Sequence, residues 1–173
     1  MQLALVGERV RELSPRFQLY LDAYEAEHLP ARNYMADTRA MYAAEARFFL
    51  VFIEDLGLKG LEQVERRHVE GYLARLDRKD YAVKTRRRKL SVIKSFFSWL
   101  AMSKIIAADP TADIIPPRLQ WKRPRVLTKV EYRRLLAVID ESRDLALMQL
   151  LLQTGMRLAE AHRLNLADNS PPK

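Results

Sequence analysis

The chain has 173 residues, 49% of them hydrophobic, which is enough for one ordinary domain or for a domain plus a fragment of another. The absence of cysteine excludes a disulfide scaffold and any thiolate metal site, and the three histidines have no metal-ligand spacing. No run approaches the roughly 18 consecutive apolar residues of a membrane span, and the first residues make a poor signal peptide. A net charge of +8 favours a polyanionic partner.

Apolar residues recur at helical spacing in four segments, and no alternating strand pattern competes with them. We expect Asp37 or Thr38 to cap the second helix and Gly57 to end it in the left-handed conformation. The four segments read "LSPRFQLYLDAYEAEHLP", "DTRAMYAAEARFFLVFIEDLG", "RRHVEGYLARLD" and "VKTRRRKLSVIKSFFSWLAMSK". The pattern therefore predicts an all-α fold in which residues 13–108 form a compact four-helix bundle.

A proline-rich segment at residues 109–125 separates this bundle from a second module at residues 126–173. The second module opens with Thr128 and Glu131 at the spacing of a capping box. "SRDLALMQLLLQTG" predicts an apolar helix that Gly155 ends, and "MRLAEAHRL" predicts a short third helix. Three helices in about 48 residues are at the low end for independent folding, so we expect this module to be incomplete.

Basic residues crowd the start of the fourth helix and continue one to two turns along it. Cations packed at a helix N-terminus repel one another and are also disfavoured by the helix dipole, which favours anions there. The functional explanation is a phosphate that neutralises them. The linker adds cations next to an aromatic residue. This combination suits nucleic-acid binding, but on its own it is a weak indication of it. The alternative is a solvated face that binds nothing. The residues are Lys84, Arg86, Arg87, Arg88, Lys89 and Lys94 in the helix and Trp121, Lys122, Arg123 and Arg125 in the linker.

The stretch "TGMRLAE" places Arg157 at the start of a helix and Glu160 one turn further on. A guanidinium carries five donors in a planar fork, so at a helix start it can hold two phosphate oxygens and stabilise the charge that develops in phosphoryl transfer. The alternative is a surface arginine paired with Glu160 at i,i+3 spacing. The local string alone favours that alternative.

Taken together, the order of these segments resembles the tyrosine recombinase (phage integrase) family, in its Xer-type and integron-type members, from about Phe17 to Asp168. "TRAMYAAEARFFLVFI" is similar to the family's Thr-x-x-x-Tyr helix. "TRRRKLSVIKSFFSWL" is similar to the last helix of its core-binding domain, and Asp109-Pro110 stands where Asn-Pro is usual. "LLLQTGMRLAEAHRLNLAD" is similar to the Thr-Gly-x-Arg-x-x-Glu box of the catalytic domain.

The resemblance implies a core-binding (SAM-like) DNA-binding bundle, a basic linker and the first helices of a catalytic domain that together clamp duplex DNA. It implies attack of a tyrosine on a phosphodiester, with no metal and no cofactor, in a cytoplasmic protein that associates with the nucleoid when bound to DNA. Arg157 matches the family's first catalytic arginine, and Glu160 matches the acidic residue that supports it. The DNA-binding residues we expect are Thr38, Lys84, Thr85, Arg86, Arg87, Arg88, Lys89, Lys94, Lys122, Arg123 and Arg125.

The family's hairpin lysine, His-x-x-Arg element and nucleophilic tyrosine are not found after Asp168, and all seven tyrosines precede Arg157. We therefore expect a C-terminally truncated recombinase that binds double-stranded DNA without cleaving or joining it alone. Self-association, or association with a full-length recombinase on DNA, is a further expectation. The rival hypothesis is a non-enzymatic helical module that binds an acidic protein partner.

Overall fold

The computed structural model describes residues 12–119 and 124–164, and the chain divides into two units at about residue 120. Every regular element in the described ranges is helical, which confirms the predicted all-α fold. Across these same ranges, no helix has both the length and the apolar character that crossing a membrane requires.

The first unit opens with α1 (Pro15–Ala23), which runs through a π-helical turn (Tyr24–His28) into the short helix α2 (Leu29–Ala31). The π turn ends at His28, two residues before Pro30. Proline has no amide hydrogen, and its ring clashes with the carbonyl four residues back, so a regular α-helical turn is disfavoured there. The predicted first helix is present, but it is not regular along its whole length.

Helix α3 (Ala36–Asp55) begins two residues earlier than a cap at Asp37 would allow. Met35 is the N-cap, so the expectation that Asp37 or Thr38 caps this helix is wrong. Asp37 lies in the first turn instead, where its negative charge is favourable near the helix N-terminus. The other end agrees with the prediction, because Gly57 follows the helix with φ +82° and so adopts the left-handed conformation.

A 3₁₀ turn (Leu61–Gln63), α4 (Arg66–Arg78) and α5 (Val83–Met102) complete the bundle. Its core contains packed aromatic rings: the Phe49 ring packs edge-to-face on Tyr72 and on Phe97, with ring centroids 5.3 and 5.8 Å away. Two residues of the predicted linker, Thr111 and Ile114, are also buried. The first half of that linker therefore packs on the bundle, while the predicted domain boundaries themselves stay a prediction.

The second unit contains α6 (Lys129–Ala137), α7 (Ser142–Thr154) and α8 (Leu158–His162). The predicted capping box is present, because Thr128 Oγ1 accepts from the Glu131 amide at 3.2 Å and a Glu131 oxygen accepts from the Thr128 amide at 2.9 Å. Gly155 ends α7 at φ +68°, also as predicted. No residue between 124 and 164 is buried.

Candidate nucleic-acid interface

The N-termini of α3 and α5 lie at the same end of the bundle. Glu45 of α3 contacts Lys89 of α5. Further along both helices, Phe49 of α3 contacts Phe97 of α5, so α3 and α5 run in the same direction. This arrangement brings Thr38, half-buried in the first turn of α3, to the end of the bundle where the basic run begins.

Four cations form one face of α5, which we call the α5 basic face: Lys84, Arg87, Arg88 and Lys94. Residues three and four apart are neighbours on a helix surface, so Lys84 lies beside Arg87 and Arg88. These three side chains are exposed, and Lys94 is half-buried two turns further along. The face is thus a compact positive patch at the helix start followed by one more cation.

Two members of the α5 basic face contact the chain's own backbone. The Arg87 guanidinium donates to the Pro117 carbonyl at 2.8 Å, and the Lys94 ammonium donates to the Ala112 carbonyl at 3.4 Å. The segment after the bundle therefore runs along α5, next to the cations. Both contacts are with neutral carbonyls, so they leave the positive charge of the face uncompensated.

The structure corrects the prediction for Lys89. Its side chain is only 2% exposed, and its ammonium is paired with the Glu45 carboxylate, which is 3% exposed. The ammonium also lies 5.1 Å from the centre of the Phe48 ring and 5.5 Å from that of Tyr81, within cation–π range. Buried charges need such partners, so Lys89 belongs to the interior of the bundle and is not available to DNA.

Arg86 and Thr85 also differ from the exposed residues of the run. Arg86 is 17% exposed and pairs with Asp77 of α4 at 2.6 Å, which joins the end of α4 to the start of α5. Thr85 is half-buried. Neither side chain presents its polar group as freely as Lys84 does, so the prediction for these two residues gains no support from their position.

The sequence reasoning did not single out Glu45, although it shapes this site. One of its oxygens accepts from Arg88 at 2.9 Å and the other pairs with Lys89. A signal was available, because Glu45 stands four residues before Phe49 and Lys89 four residues before Ile93, which places opposite charges on the core-facing stripes of two helices.

Of the three predicted linker cations, Arg125 lies within the residues that the structure describes. Arg125 is exposed, and its guanidinium pairs with Glu131 at 3.2 Å. Lys122 and Arg123 lie outside the described residues, and so does Asp168. Hydrogen bonds lower the pKa of Glu131. The largest contribution comes from the Thr128 amide, the next from the Thr128 hydroxyl, and Arg125 adds a third.

Arg157 and Glu160 adopt the surface pairing that the local sequence favours. The Arg157 guanidinium is 84% exposed and donates to Glu160 at 2.9 Å, while the other Glu160 oxygen accepts from the Arg157 amide at 2.8 Å. The backbone hydrogen bond, and then the guanidinium, lower the pKa of Glu160. The carboxylate thus anchors both the backbone and the side chain of Arg157 at the start of α8.

Residues 21–104 match the family model of the phage integrase N-terminal SAM-like domain. The tyrosine recombinase XerC of Neisseria gonorrhoeae is 33% identical over 167 residues, covering 88% of this chain and 53% of that protein. The XerC of Roseiflexus sp. strain RS-1 is 32% identical over 143 residues, covering 79% of this chain and 46% of that protein. The XerD of Shewanella oneidensis is 31% identical, covering 87% and 51%. The chain thus spans about half the length of these relatives.

Among solved structures, an integrase from mycobacterium phage Brujita has the same fold with a TM-score of 0.53 and 21% identity, covering 84% of this chain and 48% of that one. The predicted resemblance is confirmed by these matches. Residues 21–104 thus match the phage integrase N-terminal SAM-like domain, and the chain is similar to the Xer tyrosine recombinases over about half of their length.

Proposed function

We propose that this chain is a DNA-binding part of a tyrosine recombinase and that it binds double-stranded DNA through the α5 basic face. The observation that carries the proposal is the placement of Lys84, Arg87 and Arg88 as exposed neighbours on one helix whose opposite face lies in the core. Such a helix can approach a duplex with its cations toward phosphates while the bundle keeps it straight and rigid.

The fold around these cations supports binding to a large, rigid anion. The start of α5 is fixed to α4 by Arg86 and Asp77 and to α3 by the Lys89–Glu45 pair. A rigid start means that Lys84, Arg87 and Arg88 keep their spacing, so little ordering is needed when DNA binds. The half-buried Thr38 at the same end offers a hydroxyl to the same ligand.

For the second unit, we propose that Arg157 acts on the scissile phosphate in a complete recombinase, with Glu160 supporting it. Its exposed guanidinium uses one Nη atom on Glu160, which leaves donors for phosphate oxygens. The resemblance implies that a lysine, a His-x-x-Arg element and a tyrosine complete this chemistry in the family, so Arg157 is proposed as one part of a larger site.

Mobility shift with a duplex of about three helical turns, roughly 30 bp, tests the DNA assignment. Replacing both Arg87 and Arg88 by alanine is expected to lower affinity at least about tenfold at low salt, since two cation–phosphate contacts are lost. The matched control replaces Arg66 and Arg67 by alanine. It removes the same amount of charge from the N-terminal end of α4, whereas Asp77 lies near the C-terminal end of that helix. Equal affinity of wild type and the Arg87/Arg88 variant would reject the DNA assignment of this face and favour an acidic protein partner.

Cytoplasmic localisation with association to the nucleoid follows from the same proposal, because a recombinase works where its DNA lies. Association with a second copy, or with a full-length recombinase, on DNA is also proposed. Analytical ultracentrifugation of the chain with duplexes of increasing length measures this association. Self-association on DNA gives complexes heavier than one chain bound to one duplex.

A further inference from the structure

Arg88 differs from the other exposed cations of the α5 basic face because a buried carboxylate holds it. Its side chain is 50% exposed, yet its guanidinium donates to Glu45 at 2.9 Å, and Glu45 is 3% exposed. Lys84, by contrast, has no ion-pair or hydrogen-bond partner in residues 12–119 or 124–164, and Arg87 contacts a neutral carbonyl. One arginine is therefore fixed while its neighbours keep more freedom.

The charge balance of this group leaves Arg88 positive. One carboxylate, Glu45, faces two cations, Lys89 and Arg88, so the group keeps one net positive charge. Lys89, 2% exposed and next to the rings of Phe48 and Tyr81, neutralises the carboxylate from the inside. The carboxylate can therefore orient Arg88 without cancelling its charge toward the outside.

The geometry of a guanidinium makes this orientation useful. A guanidinium has five donors in a planar fork, and Glu45 occupies one Nη atom, so the remaining donors are held in a set direction. A side chain that is already fixed loses less conformational entropy when it binds, which is worth about 2- to 10-fold in affinity for one arginine. Two adjacent acceptors, such as two phosphate oxygens or the O6 and N7 of guanine, match such a fork.

We propose that Glu45 and Lys89 form a buried positioning pair that holds the Arg88 guanidinium ready for a two-acceptor contact with DNA. The inference rests on the proposed DNA-binding function and deepens it. Arg88 supplies geometry, whereas Lys84 and Arg87 supply charge. Glu45 acts through Arg88 and does not itself contact the nucleic acid.

A double-mutant comparison tests the positioning pair in the full chain with the mixed-sequence duplex of roughly 30 bp. In the wild-type background, Arg88→Ala is expected to weaken binding by about 5- to 150-fold. The background Glu45→Leu with Lys89→Met removes both buried charges together, which a core tolerates better than the loss of one. There, the effect of Arg88→Ala should be smaller by about 2- to 10-fold. An equal effect in both backgrounds would overturn the proposal.

The surface variant Arg88→Lys gives the answer even where the core variants fail to fold. It keeps the charge but loses the planar fork, so affinity should fall nearly as far as in Arg88→Ala while the dependence on salt stays near that of wild type. Wild-type affinity in Arg88→Lys would show that charge alone matters and would overturn the proposal.

Selection from a randomised duplex separates the two kinds of acceptor. Loss of a preference for guanine at one position in Arg88→Ala indicates a base contact, and a uniform loss across sequences indicates a phosphate contact; both agree with the proposal. The proposed function is tested separately by Lys84→Ala with Arg87→Ala. Unchanged binding in that variant and in Arg88→Ala would reject the DNA-binding face as a whole, whereas weaker binding in the Lys84/Arg87 variant with wild-type affinity in Arg88→Lys would reject only the positioning of Arg88.

Discussion

The two units of this chain share the same local helix signals but differ in burial. Each has a capping box, at Glu65 and His68 in the first unit and at Thr128 and Glu131 in the second, and each has a glycine in the left-handed conformation after a helix. The first unit buries a continuous hydrophobic core of aromatic and aliphatic side chains. In the second, every residue from 124 to 164 keeps part of its surface exposed.

Capping and turn residues define where helices begin and end, while a buried core also needs enough neighbouring helices to enclose the apolar side chains. Helices α6 and α7 carry apolar residues, but Val130, Leu147 and Leu152 remain between 37 and 56% exposed. Because most helix stability in proteins comes from packing an apolar face, the first unit is expected to dominate the unfolding free energy of the chain.

The largest expected effect is the loss of a core ring in the first unit. Phe97 is fully buried and packs edge-to-face on Phe49 and Phe96. Phe97→Ala should lower the free energy of unfolding by about 3–5 kcal/mol. Leu147→Ala in the second unit, 38% exposed, is the comparison and should cost about 0.5 kcal/mol or less. Urea denaturation followed by far-UV circular dichroism measures both, and similar costs would remove the contrast between the units.

The buried ion pair should produce the next largest effect. Glu45→Ala leaves the Lys89 ammonium buried without its partner, which is expected to cost about 3 kcal/mol. Arg88→Ala removes only the exposed member of the group and should cost about 1 kcal/mol or less. The same denaturation experiment compares the two variants. A loss for Arg88→Ala as large as that for Glu45→Ala would mean that the guanidinium, not the buried ammonium, is the essential partner.

Tyr24 gives the first unit a pH dependence on the alkaline side. Burial raises the pKa of Tyr24 to about 12, against a smaller lowering by the hydrogen bond to Ser95. The unfolded chain ionises this phenol near pH 10, so the stability it contributes is present below pH 10 and is lost as pH rises toward 12. Wild type should lose stability more steeply than Tyr24→Phe in that window, by up to about 1.4 kcal/mol per pH unit. Parallel curves would contradict the assignment.

The smallest effect compares the two left-handed glycines directly. Gly57→Ala and Gly155→Ala place a Cβ at φ +82° and +68°, with a similar strain of about 1–2 kcal/mol. No neighbouring atom lies within 4 Å of either added carbon, so strain alone is tested. We expect Gly57→Ala to lower the unfolding free energy of the first unit, and Gly155→Ala to increase hydrogen exchange only around α7 and α8. A matching loss of global stability in both would show that the units unfold together.

Much of this fold was predictable because its signals are local. Helical periodicity identified the helices of both units, and glycine chemistry identified their ends at Gly57 and Gly155. The placement of Lys89 was missed because a run of cations was treated as one surface, although its position four residues before Ile93 lies on the core-facing stripe. The pairing of Glu45 with Lys89 joins two residues that are 44 positions apart in sequence and lie on different helices, so it requires the tertiary structure. The contacts of Arg87 and Lys94 with the linker backbone have no sequence signal at all.

The dependence of duplex affinity on salt concentration tests whether the α5 basic face binds DNA phosphates. Four cations on the α5 basic face predict a slope of about −3.6 for log affinity against log salt concentration. Lys84→Ala with Arg87→Ala should make this slope shallower by about 2, whereas Arg66→Ala with Arg67→Ala should leave it nearly unchanged. The same slope in wild type and in the Lys84/Arg87 variant would contradict the claim that this face binds DNA.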